Sequence, residues 1–119
     1  MYNRVEVEGF SKQDRLLGLS YCQRKLLLHA MKFPYAKRIV YSTCSLNSVE
    51  NEDVVAGALQ DHDTSEYAAF KIKKALPTWP HRVENPNYTW SDFCAKADYE
   101  HDRTDGFFIA LLERAKYST

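Results

Sequence analysis

The sequence predicts a single α/β domain, and three observations carry that prediction. An amphipathic stretch, a β-branched and aromatic run, and a second amphipathic stretch follow one another as helix, strand, helix, which suggests part of a parallel sheet layered by helices. The last apolar run, from Phe107 to Leu112, follows Asp105 and Gly106, a tight-reversal signal that sets the last strand antiparallel to its neighbours. The length of 119 residues suits one domain, able to bury roughly two thirds of its unfolded surface.

Each element has its own residues to justify it. Ser11 with Asp14, and Ser20 with Gln23, give helix-start signals ahead of "RLLGLSYCQRKLLLHAMKF". Leu19, Cys22, Leu26, Ala30 and Phe33 recur at spacings of three and four and define one apolar face, with Gln23, Arg24 and Lys25 pointing mostly away. Gly18 weakens the case for one continuous helix across both start signals, and Pro34 ends the stretch. "RIVYST" has the composition of a strand buried on both faces. In "SLNSVENEDVVAGALQDH", Asn47 or Ser48 can cap a helix whose first turn carries Glu50, Glu52 and Asp53, favourable against the helix dipole. Val54, Val55, Ala58 and Leu59 form its apolar side.

"YAAFKIKKAL" reads as a strand with Phe70 and Ile72 turned inward, joined by Ala75 or Leu76. From Pro77 to Thr104 the chain turns irregular, with Pro80 and Pro86 adding breaks, and a loop this long signals function, mobility or a missing partner. "TDGFFIALLERA" then closes the chain as a strand with Phe107 and Phe108 in the core.

Composition excludes several classes. With 45% hydrophobic and 27% charged residues the chain reads as soluble and globular. No apolar run approaches the ~18 residues of a membrane span, and "MYNRVEVEGF" lacks the pattern of a secretion signal, so an intracellular protein is expected. Sixteen basic residues balance sixteen acidic ones, which removes the basic excess of a self-sufficient nucleic-acid binder. Cys22, Cys44 and Cys94 are odd in number and widely spaced, against both a disulfide framework and a structural zinc site.

One of these cysteines sits where chemistry is expected. Cys44 follows the Arg38 to Thr43 strand, and open α/β sheets gather ligands and reactive groups beyond the carboxyl ends of their strands. Periodicity alone leaves a second reading, since a free cysteine at a strand end is commonly a small core filler. Elsewhere, His29 and His62 suit helix surface or capping roles. His81 and Arg82, after Trp79 and Pro80, offer either a stacking platform for a splayed-out base or the local packing of a tryptophan. Lys71, Lys73 and Lys74 suit a solvated strand face. Asp105 and Gly106 are explained by a turn and also stand where they can shape the mouth of a site.

The stretch "YSTCSLNSVENEDVV" closely resembles the Thr-Cys-Ser motif of the Sun-domain family of RNA cytosine-C5 methyltransferases, and "DGFFIALLER" is similar to that family's closing strand. "ALPTWPHR" and "LLGLSYCQRKLLLHAMKFP" resemble its eukaryotic branch, which modifies large-subunit ribosomal RNA; the resemblance covers most of residues 12 to 115. It implies a partial Rossmann-like methyltransferase fold made of carboxyl-terminal strands with flanking helices. It also implies S-adenosylmethionine as cofactor, RNA as partner, and a nuclear or nucleolar location. Cys44 is by this resemblance the nucleophile, with Thr43 and Ser45 supporting it. A thiolate added at carbon 6 of cytosine gives the ring enamine character and makes carbon 5 nucleophilic, which splits one difficult step into easier ones.

The family's glycine-rich cofactor segment, its acidic ribose contact and its Pro-Cys motif have no counterpart here. Gly9, Gly18, Gly57 and Gly106 are scattered, Cys22 reads as core-facing, and Cys94 belongs to neither motif. The expectation is therefore the carboxyl-terminal part of a catalytic domain, inactive alone, whose partner is the missing amino-terminal half. Such a piece exposes an apolar sheet edge and one uncovered face, and it is expected to be unstable or to associate. A reading of a different class is a non-catalytic α/β interaction module that retains part of this fold.

Overall fold

The computed structural model describes residues 12–62 and 69–115. The start signal at Ser11, the glycine at Gly9 and the opening Tyr67 and Ala68 of the predicted strand lie outside the described residues. One helix, α1 (Lys12–Ala30), passes through Gly18 without a break. A Cβ at Gly18 would meet open space, so the residue clears no neighbour there, and 19 residues of helix absorb a local propensity cost of about 1 kcal/mol. Ser20 therefore starts nothing.

The buried side of α1 is not the predicted one. Leu27 and Met31 are buried and Leu28 packs beside them, whereas Leu19, Cys22, Leu26 and Phe33 face solvent, Leu26 with 71% of its surface exposed. The reason is that α1 carries apolar residues on more than one side, and periodicity cannot rank them. Polar anchors decide the rotation: Arg24 Nε donates to Asp61 Oδ2 at 2.8 Å and Gln23 Nε2 to Glu50 Oε1 at 3.4 Å. These bonds turn Leu27 and Met31 onto α2 (Glu52–Asp61). The end of α1 is secured from far along the chain, since the guanidinium of Arg114 donates to the carbonyls of Met31, Phe33 and Ala36 at 2.9 to 3.0 Å.

The sheet is built around the last strand. Strand β1 (Arg38–Thr43), β2 (Phe70–Lys73) and β3 (Ala95–Ala97) all pair antiparallel with β4 (Phe107–Arg114). β1 takes one edge of β4, from Arg38 opposite Glu113 to Thr43 opposite Phe108. β2 and β3 share the other edge, Ile72 opposite Leu112 and Ala95 opposite Ile109. β1 and β2 thus run in one direction, as helical crossovers dictate, yet they are separated by the antiparallel β4 and are not paired to each other. The last strand has the expected direction.

Alternation along β4 sorts the two faces. Phe108, Ala110 and Leu112 are buried, and they share a face with Ile39, Tyr41 and Phe70 against Val54, Val55 and Ala58 of α2 and Met31 of α1. β1 is not buried on both faces: Val40 is 63% exposed, and nothing among the described residues covers that side. On β2, Lys71 and Lys73 lie exposed as expected.

The segment after Pro77 is more ordered than its prolines suggest. It contains β3, a 3-10 turn at Ser91–Phe93 and a short helix α3 (Tyr99–Asp102). Arg82 holds it together by donating to the carbonyls of Ala75, Leu76, Trp79, Asp92 and Phe93 at 2.6 to 3.2 Å. No helix among the described residues is long and apolar enough to cross a membrane.

Candidate functional site

β1 ends at Thr43 and delivers Cys44 into solvent at the carboxyl end of the strand; its thiol is exposed. The chain then makes a turn in which Thr43 and Ser45, on either side of the thiol, are hydrogen-bonded in place. Thr43 Oγ1 accepts from the backbone N–H of Ser45 at 3.2 Å and donates to Asn51 Oδ1. Asn51 Nδ2 donates to the Ser45 carbonyl at 2.8 Å. Ser45 Oγ donates to Glu50 Oε2 at 2.6 Å and accepts from the Asn47 N–H at 3.0 Å. The two residues that flank Cys44 are therefore fixed while the thiol between them is free.

Glu50 and Asn51 were not singled out from the sequence as part of this arrangement. The sequence places Glu50 in the first turn of a helix, where its charge is favourable against the dipole, but the helix is interrupted: a 3-10 turn spans Ser48–Glu50 and α2 begins after Asn51. The interruption buries Glu50 to 3% exposure, and its backbone carbonyl also accepts from Tyr41 Oη at 2.6 Å. Burial, and then the charge of Glu50, push the Tyr41 phenol above its ordinary range. The available signal was the pair of hydroxyls beside the cysteine, each of which needs a partner within a short turn.

A cavity opens beside this loop. Ser45, Leu46 and Asn51 form one wall, Lys96 and Asp98 another, and Phe107 contributes to its lining; Cys44 itself stands outside the lining. Gly106 shapes this region, because a Cβ there would come within 2.9 Å of Leu46 Cδ2. Val83 and Glu84 also line the cavity, and the segment just after them is docked onto α2, with Asn85 Nδ2 donating to Glu52 Oε2 at 3.0 Å and Tyr88 Oη to Asp53 Oδ1 at 2.5 Å. Burial and the Asp53 bond raise Tyr88 to about 12.

The other candidates fall differently. Trp79 packs against Phe107, with ring centroids 5.4 Å apart, and donates to the Lys96 carbonyl at 2.9 Å, which is local packing. Arg82 is spent on backbone carbonyls and offers no platform. Cys22 is exposed, contrary to its expected place in the core, because α1 is rotated. Cys94 is fully buried, and desolvation pushes its thiol up to about 12. His62 takes the capping role, ending α2 with its backbone N–H on the Ala58 carbonyl at 3.0 Å, and its ring is buried edge-on against Phe70 rather than solvent-facing; His29 lies exposed on α1.

Residues 4–113 match the family model described as "16S rRNA methyltransferase RsmB/F". The chain belongs to this Sun-domain family. A mouse protein named 28S rRNA (cytosine-C(5))-methyltransferase is 45% identical over 109 residues, covering 92% of this chain and 22% of that protein. An Arabidopsis thaliana 25S rRNA (cytosine-C(5))-methyltransferase is 41% identical over 101 residues, covering 85% of this chain and 17% of its own length. The chain thus spans about a fifth of the length of these two relatives. A crystal structure titled as a methyltransferase homolog from Pyrococcus horikoshii superposes with a TM-score of 0.71 at 22% identity, over 88% of this chain and 34% of that one. The likeness gives the fold: a partial Rossmann-like methyltransferase sheet, with the Sun-family Thr-Cys-Ser segment at the end of β1.

Proposed function

We propose that this chain is the carboxyl-terminal part of an RNA cytosine-C5 methyltransferase domain, acting on ribosomal RNA in the nucleus or nucleolus, with Cys44 as its nucleophile. The observation that carries the reading is the exposed thiol held at the carboxyl end of β1 between two residues, Thr43 and Ser45, that are hydrogen-bonded in place. A thiol open to solvent on a fastened backbone suits a nucleophile that must meet a ring carbon presented from outside. The same sequence used as core filler would bury the sulfur, as Cys94 does.

The chain's own part in the reaction is the covalent one. The Cys44 thiolate bonds to carbon 6 of a cytosine and pushes electron density onto carbon 5. Once carbon 5 carries its methyl group, the proton there leaves to a base and the carbon–sulfur bond breaks, returning the electron pair to sulfur. Thr43 and Ser45 hold the backbone on either side through both events. The methyl group comes from S-adenosylmethionine. Gly18 lies in α1, Gly57 in α2 and Gly106 in the turn before β4, so among the described residues no glycine-rich loop follows a strand to cradle that molecule. The donor is therefore assigned to an amino-terminal half that completes the domain against the open edge of β1.

The test joins this chain to the preceding half of the mouse relative and supplies RNA carrying 5-fluorocytosine, whose carbon 5 has no proton to release. A covalent protein–RNA adduct is expected, and Cys44→Ala should abolish it. An adduct that persists in that variant would remove the assignment.

A further inference from the structure

Two histidine–aspartate pairs lie side by side where the segment before β3 meets α3. His81 Nδ1 is 2.6 Å from Asp102 Oδ2, and His101 Nδ1 is 2.8 and 3.0 Å from the two oxygens of Asp98. The imidazole centroids are 4.9 Å apart, and one nitrogen of each ring and one Asp98 oxygen lie within 4.8 Å of one another. Of the nearby cations, Arg82 bonds backbone carbonyls and Arg103 lies over the Tyr99 ring, while Lys96 lines the same cavity wall as Asp98.

We propose that His81, Asp98 and His101 form a binding site for a zinc-class divalent cation, with Asp102 as the outer carboxylate that orients His81. Donor chemistry selects the class. Two imidazoles and one carboxylate suit zinc or cobalt, whereas magnesium and calcium take mostly oxygen ligands in larger number. His81, donating through Nδ1 to Asp102, keeps its lone pair on Nε2, and a carboxylate on the far nitrogen is the usual support of a metal-bound histidine; His101, whose Nδ1 lies against Asp98, would ligate through that nitrogen in its Nε2–H tautomer. The cation would join the segment before β3 to α3. Because Asp98 also lines the cavity beside Ser45 and Leu46, it would fix one wall of that cavity. Three protein ligands leave a fourth position open to water or to a bound group. The site does not depend on the role of Cys44.

The experiment titrates the full 119-residue chain with cobalt(II), followed optically, and then displaces it with zinc(II) in a calorimeter. One equivalent is expected to bind, with the absorption of nitrogen and oxygen ligands and no thiolate charge-transfer band. His101 is exposed, so His101→Gln leaves the fold intact; it and His81→Gln should each weaken binding at least about tenfold. Cys22→Ser and Cys44→Ser should bind as the parent does. Zinc should also raise the melting temperature of the parent chain and not that of His101→Gln. Undiminished affinity in both histidine variants, a thiolate band lost with either cysteine, or no binding at millimolar cobalt would each overturn the proposal.

Discussion

Glu50 is a carboxylate at 3% exposure whose Oε2 takes the Ser45 hydroxyl and whose backbone takes the Tyr41 hydroxyl, and this residue decides how firmly the Cys44 turn is held. Ser45→Ala leaves a buried charged acceptor without its donor, so a loss of about 1.5–3 kcal/mol is expected in urea unfolding. A loss near zero would mean that the turn is set by its backbone alone. The cysteines separate by burial at the same scale. Native alkylation followed by mass spectrometry should modify Cys22 and Cys44 and leave Cys94 untouched until denaturant is added. Cys94 also gives a pH dependence whose sign follows from its raised pKa. Above an ordinary thiol value of ~8.5 the unfolded chain releases a proton that the folded chain keeps up to about 12. Folding stability should therefore fall as pH rises through that window, by up to about 1.4 kcal/mol per unit, and Cys94→Ala should flatten the slope.

Gly18 sits within α1 with open space around its missing Cβ, so Gly18→Ala is expected to stabilise by about 0.8–1 kcal/mol through helix propensity alone. Gly57 in α2 is the contrast. A Cβ there meets Arg24 Cδ and Nε at 2.9 Å, so alanine would displace the side chain that pairs with Asp61, and the propensity gain should be lost. A larger element depends on Arg82, whose guanidinium gathers five carbonyls from both ends of the segment between Ala75 and Phe93. Lysine supplies a single ammonium and cannot reproduce that fork. Arg82→Lys should cost about 2 kcal/mol, and amides of residues 75–79 and 91–95 should exchange faster with deuterium. Unchanged exchange there would show that β3 pairing, rather than Arg82, orders the segment.

For the molecule as a whole, the apolar surface left outside is the largest fact. Leu19, Leu26 and Phe33 of the α1 region and Val40 of β1 are exposed, and among the described residues β1 pairs on one side only. An unpaired edge beside an open apolar face invites association. Analytical ultracentrifugation of the 119-residue chain should show reversible self-association, reduced in a Leu26→Glu, Val40→Lys double variant. A stable monomer with a cooperative melt would mean that this surface is tolerated in water and would weaken the reading of a domain part.

How far these features were legible differs from residue to residue. "RIVYST", the helix of Val54, Val55 and Ala58, and the reversal before Phe107 are local signals, set by side-chain branching, spacing and turn chemistry, and the sequence by itself determined them together with the position of Cys44 at a strand end. The Thr-Cys-Ser segment likewise marked the family without any coordinates. Tertiary structure alone decided which side of α1 is buried, since Arg24 and Gln23 find Asp61 and Glu50 only after the chain folds back. It alone decided that Cys22 is outside and Cys94 inside, that β4 enters between β1 and β2, and that Glu50 turns under the Cys44 loop. It also brought His81 beside His101. Each of these is a choice between alternatives of similar local energy, and contacts between residues distant in sequence are what separate them.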